Sequence, residues 1–95
     1  MKKPMLYVDF NEILESNLVL LSAEDTKTDS RGEAVSLHKG LEVIVYMDDT
    51  DDNGNADNLM AHGVVERNNS ITGWAAHVKW CCRIDSGGIR HESEL

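Results

Sequence analysis

One stretch of the chain, Asp49-x-Asp51-x-Asn53-Gly54-x-x-Asp57, sets oxygen-bearing side chains at alternate positions around a glycine. This is the pattern of the first half of a calcium loop, in which the glycine permits a sharp turn. The twelfth position of such a loop supplies a bidentate carboxylate, and here that position is Met60. The segment before the run is β-branched rather than helical, whereas a calcium loop of this type sits between helices. A solvated strand connection rich in Asp, Asn and Gly is the favoured explanation. Asp49, Asp51, Asn53 and Asp57 are carried as an incomplete calcium candidate that Glu66 or Asp48 would have to complete. No cofactor is implied.

The other residues capable of chemistry are His38, His62, His77, His91, Cys81 and Cys82. No two of them have the C-x-x-C or H-x-x-x-H spacing that presents zinc ligands from one turn or helix face. His77 and Cys81 fall on the same side of an extended strand, but four residues of strand separate them by about 13 Å. Cys81 lies between Lys79 and Arg83 on that side, and neighbouring cations favour the thiolate of an activated nucleophile. An ordinary half-exposed cysteine gives the same pattern. No Gly-x-Ser-x-Gly, phosphate-cradling glycine loop or dinucleotide fingerprint occurs. The acidic pairs Asp48-Asp49 and Asp51-Asp52 lie in polar sequence, where burial cannot raise a carboxyl pKa. The expectation is a protein without catalytic residues.

The chain has 95 residues, enough for a single domain, and 41% of them are hydrophobic, too many for a disordered segment. Its net charge of −8 repels phosphate and anionic lipid, which argues against nucleic-acid and membrane-surface partners. No apolar run approaches the roughly 20 residues that span a bilayer, and Asp9 interrupts the N-terminal apolar run before it reaches signal-peptide length. Cys81 and Cys82 are adjacent, a spacing that bridges only through a strained turn, so free thiols and a cytoplasmic location are expected.

The elements that must position these residues are mainly strands. Asp9-x-x-Glu12 has the form of a capping box, and Phe10, Ile13, Leu14, Asn17, Leu18 and Leu21 fall at helical spacing. This predicts a short helix from Phe10 to about Ser16, followed by a strand. Glu24 to Glu33 reads as a surface loop. Leu41 to Met47 is rich in β-branched residues and reads as a strand, Asp48 to Asn58 as a polar connection, and Leu59 to Asn68 as a second strand. A turn at Asn68 to Gly73 leads into a third strand, Trp74 to Asp85. On it Ala76, Val78, Trp80, Cys82 and Ile84 share a core-facing side, opposite His77, Lys79, Cys81 and Arg83. Ser86-Gly87-Gly88 turns into Ile89-Arg90-His91.

From residue 17 to residue 95 this arrangement resembles a Src-homology-3-like small barrel. The resemblance is carried by the long polar loop, the Lys39-Gly40 kink before a Val-rich strand, the strands Gly63-Val64-Val65-Glu66 and Val78-Lys79-Trp80, and the terminal Arg90-His91-Glu92-Ser93-Glu94-Leu95 segment. It implies a mainly β fold of about five strands, here with the short N-terminal helix within an extension over residues 1–16. The long loop has no paired tyrosines, which argues against binding of proline-rich peptides.

The leading expectation is a non-catalytic protein-interaction module, and an acidic inhibitor is the alternative to it. In the first, Trp74 anchors a protein partner, or a second copy in a homodimer, on a face with His77, Lys79, Arg83 and Arg90. In the second, Asp48, Asp49, Asp51, Asp52 and Asp57 mimic phosphates and block a basic partner, as an acidic inhibitor or immunity-type protein does.

Overall fold

A computed structural model describes residues 3–69, 73 and 76–94. Alternating burial marks its two longest strands. In β6 (Glu42–Met47) Val43 and Val45 are fully buried between more exposed neighbours, and in β7 (Leu59–Arg67) Ala61, Gly63 and Val65 alternate with His62 and Val64 in the same way. This two-residue period is what a pleated strand needs to cover a core with one face. β6 and β7 pair antiparallel from Glu42 opposite Val64 to Met47 opposite Leu59. β8 (Trp80–Ile84) pairs with the second half of β7. β3 (Leu18–Ser22) lies on its far side. β1 (Met5–Tyr7) runs parallel to β6, β2 (Ile13–Glu15) pairs with β3, and β9 (Arg90–His91) pairs with the first two residues of β7. The principal sheet has the order β1-β6-β7-β8-β3-β2, with β9 beside β7. A separate hairpin is formed by β4 (Thr26–Thr28) and β5 (Ala34–Ser36).

The main core joins Leu6, Val8 and Phe10 to Val19, Leu21, Leu37, Val43, Val45, Ala61, Val65, Trp80, Cys82 and Ile84. A smaller cluster holds Leu18, Leu20, Val78 and Cys81, with Leu14 against it. At Gly63 β7 and β8 approach so closely that an added Cβ would collide with the Cys82 side chain and the Arg83 carbonyl. A side chain there would force the central strands apart.

The fold is mainly β, as the sequence implies, but several expectations change. The short N-terminal helix is absent. Asp9 instead closes one turn, its carboxylate accepting from the Asn11 amide at 2.9 Å and its carbonyl from the Glu12 amide at 2.9 Å. The next three residues then form β2, where Ile13 packs on the main core and Leu14 on the smaller cluster. Covering two opposite faces requires an extended chain, and pairing with β3 overrides the local helical signal. The sheet is also not a closed barrel. Among the described residues no ladder joins β1 to β2. Ser30, beyond β4, donates instead to the Met5 carbonyl on the outer side of β1. Among the described residues nine strands replace the expected five, one of them (Thr26–Thr28) inside the expected surface loop Glu24 to Glu33, because segments of two or three residues are too short to register as a period. The third long strand begins at Trp80, with Ala76 and His77 in a turn and Val78 in the smaller cluster rather than beside Trp80.

Leu6, with no exposed surface, ties the N-terminal segment into the main core. Leu6→Ala is expected to cost about 2–5 kcal/mol in chemical denaturation, and a loss below about 1 kcal/mol would show that β1 does not pack as described.

Candidate functional site

The β6–β7 connection, residues 48–58, is an ordered hairpin extension rather than an open loop. Thr50 and Ala56 form an antiparallel bridge, the Asp57 amide donates to the Asp49 carbonyl at 2.9 Å, and the Asp51 amide donates to the Asn55 carbonyl at 2.8 Å. At the tip one carboxylate oxygen of Asp51 accepts from the amides of Asn53 and Asn55, both at 2.9 Å. This is the local side-chain-to-backbone bonding that makes Asp a turn former. Gly54 adopts φ +81°, a conformation that L side chains rarely take, and its amide closes the turn on the Asp51 carbonyl.

The base of the hairpin is strapped to the end of the chain. β9 is followed by a 3-10 turn, Glu92–Glu94. The Glu92 amide donates to the Asn58 carbonyl at 2.8 Å, and Ser93 donates through its amide and its hydroxyl to the two carboxylate oxygens of Asp57 at 3.0 and 2.8 Å. His91 Nε2 meets Asp49 Oδ2 at 2.8 Å, while Nδ1 faces Glu94 Oε1 at 3.3 Å. The hydrogen bond to His91 lowers the Asp49 pKa, and the bonds to Asp49 and then Glu94 raise that of His91.

Asp49, Asp51 and Asp57 are thus each engaged with a different internal donor, and Glu66, one of the two residues offered to complete a cation shell, is bonded to Arg83. Among the described residues no group of three or more His, Cys, Asp or Glu is arranged to hold a metal ion. Asp48, Asp51 and Asp52 are exposed and make no ion pair among the described residues.

The basic residues of the other expected surface are distributed. Arg83 is committed to its own sheet: Nε and Nη2 grip the Glu66 carboxylate at 3.1 and 3.2 Å, and Nη1 reaches Asn17 Oδ1 at 2.9 Å and Glu15 at 3.4 Å. Lys79 pairs with Asp25, which also accepts from the Trp80 indole at 3.1 Å. Arg90 stands on β9, its Nε bonded to the Gly87 carbonyl at 3.0 Å. His77 is exposed on the turn before β8, beside a groove lined by Tyr7 and Lys27. The expected anchor Trp74, and the expected turn at residues 70–72, lie outside the described residues.

Sequence reasoning missed the clamp. His91, Ser93 and Asn58 carry no motif, and only the long-range pairing of β9 with β7 brings them to the acidic hairpin. Comparison with protein families, curated proteins and solved structures finds no match for this chain.

Cys81 is not an ordinary half-exposed cysteine, and it does not have the lowered pKa that its flanking cations favour. It is completely buried, and desolvation, with the nearby Glu66 carboxylate adding to it, pushes its pKa up to about 11. Burial likewise lifts Cys82 to about 12, and neither cysteine is bridged. Both thiols should therefore resist iodoacetamide at pH 8 in the folded protein and react fully in denaturant. Rapid native labelling of Cys81 would contradict this burial.

Proposed function

We propose that the protein is a non-catalytic interaction module that binds a basic partner protein through the acidic β6–β7 hairpin, acting as an inhibitor or immunity-type protein. The observation that carries this is the internal bonding of the hairpin. The Asp51 turn, the Thr50–Ala56 bridge and the His91 and Ser93 contacts fix its shape, while Asp48, Asp51 and Asp52 stay exposed and without cationic partners among the described residues. Carboxylates held in place before contact lose little conformational freedom on binding, and a field of one sign accelerates encounter with a basic surface. The net charge of −8 adds to that field. The two unbridged thiols support a cytoplasmic setting. Among the described residues no helix is long and apolar enough to cross a membrane. The Src-homology-3-like resemblance remains an architectural proposal, supported by the β6–β7–β8 meander, and does not itself specify a partner.

The test is capture of a partner at low and high salt with three proteins: wild type, Trp74→Ala, and the combined Asp48→Asn, Asp51→Asn, Asp52→Asn variant. Asn keeps one acceptor oxygen for the turn and removes the charge, an amide group replacing the second oxygen. The expected result is a basic partner that is released as salt rises, is lost on the order of tenfold or more in affinity with the Asn variant, and is retained by Trp74→Ala. A partner insensitive to salt and lost with Trp74→Ala would instead establish an apolar anchor at Trp74 and overturn the acidic reading.

A further inference from the structure

His91 has a carboxylate oxygen on each ring nitrogen, Asp49 Oδ2 at 2.8 Å from Nε2 and Glu94 Oε1 at 3.3 Å from Nδ1. A neutral imidazole carries one N–H and one lone pair, so it satisfies one of these acceptors and repels the other. Only the imidazolium donates to both. The two carboxylates belong to different parts of the chain, Asp49 to the base of the acidic hairpin and Glu94 to the C-terminal turn. Asp57, a third charge facing the ring from the hairpin, is itself bonded to Ser93 of that turn. The residue paired with His91 on β7 is Leu59, which brings no charge.

We propose that His91 is a proton-operated latch on the acidic hairpin: its imidazolium bridges Asp49 to the C-terminal turn, and loss of the proton loosens that attachment and unmasks the Asp49 and Glu94 charges. As regulation of the binding surface this rests on the function proposed above, while the latch itself is a property of the free chain. The direction of the effect follows from linkage. His91 is raised above its ordinary value of 6.5, so its contribution is complete below 6.5 and fades as pH rises through the higher folded value. Asp49 is lowered from 3.8, so its contribution is complete above 3.8 and fades as pH falls through the lower folded value. The latch is therefore tightest in mildly acid solution, and alkalinity toward and beyond neutral pH opens it. The open form displays two more uncompensated carboxylates to a basic partner.

The test is a nuclear magnetic resonance titration of the free protein between about pH 5 and pH 9, a window spanning the histidine range. It follows the His91 ring together with the amide protection factors of Glu92 and Ser93, corrected for intrinsic exchange. His91 is expected to titrate above 6.5, and both protection factors should fall several-fold as it does. The Val65 amide, bonded to the Leu41 carbonyl within the sheet, should stay constant. Asp49→Asn and Glu94→Gln should each lower the His91 pKa, and His91→Gln should remove the pH dependence and exchange rapidly at every pH. A His91 pKa at or below 6.5, or protection at Ser93 that ignores the titration, would overturn the latch. All readouts come from the free chain, so failure to find a basic partner would remove the proposed function and leave this result standing.

Discussion

Hydrogen bonding along both edges of β7 is the constraint on which the rest of the structure depends. One edge carries β6 along six paired positions, and the other carries β8 beside the second half of the strand and β9 beside its first two residues. This double load requires a close approach at Gly63, where a Cβ would strike the Cys82 side chain and the Arg83 carbonyl. It also sets the position of the acidic hairpin, which leaves β6 and re-enters the sheet at Leu59, directly opposite His91. The C-terminal turn meets the base of the hairpin because β9 pairs with Leu59 and Met60, on the stretch of that edge before the β8 ladder begins at Gly63.

Charge follows the same plan. Exposed ion pairs add little to stability, but here they decide where the excess of acid is felt. Arg83 and Lys79 are engaged by Glu66, Glu15 and Asp25 around β8, and Arg31 by Glu33 in the β4–β5 turn. Cations so engaged do not offset the hairpin, which holds Asp48, Asp51 and Asp52 on a frame set by backbone bonds. The internal acceptors Asp49 and Asp57 do the opposite work: they give up their availability to outside ligands in order to fix the frame.

The long strands were readable because their burial alternates with a simple period. The β-branched run before Met47 and the alternation after Leu59 mark β6 and β7 almost to their ends. The residues that form β3 were also legible as a strand. The helix expected after Asp9 failed because an Asp side chain bonds a nearby amide in a single turn as readily as at a helix cap. Choosing between them depends on pairing with β3, which no local spacing records. Cys81 shows the same limit: its neighbours in sequence are cations, yet Arg83 is turned to Glu66 and the thiol is enclosed with Leu18, Leu20 and Val78. At the candidate site the carboxylates could be found by composition, and the Asp51 turn by its Asn-Gly context. The clamp could not, because Asp49 and His91 are joined only by the fold.

The central claim is that the acidic hairpin is a preformed part of the sheet rather than a solvated tether. Backbone 15N relaxation of the free protein at mildly acid pH addresses it most directly, through order parameters for residues 48–58 compared with those of β6 and β7. Values near 0.85, matching the strands, are the predicted result, and values below about 0.6 across the segment would contradict the account.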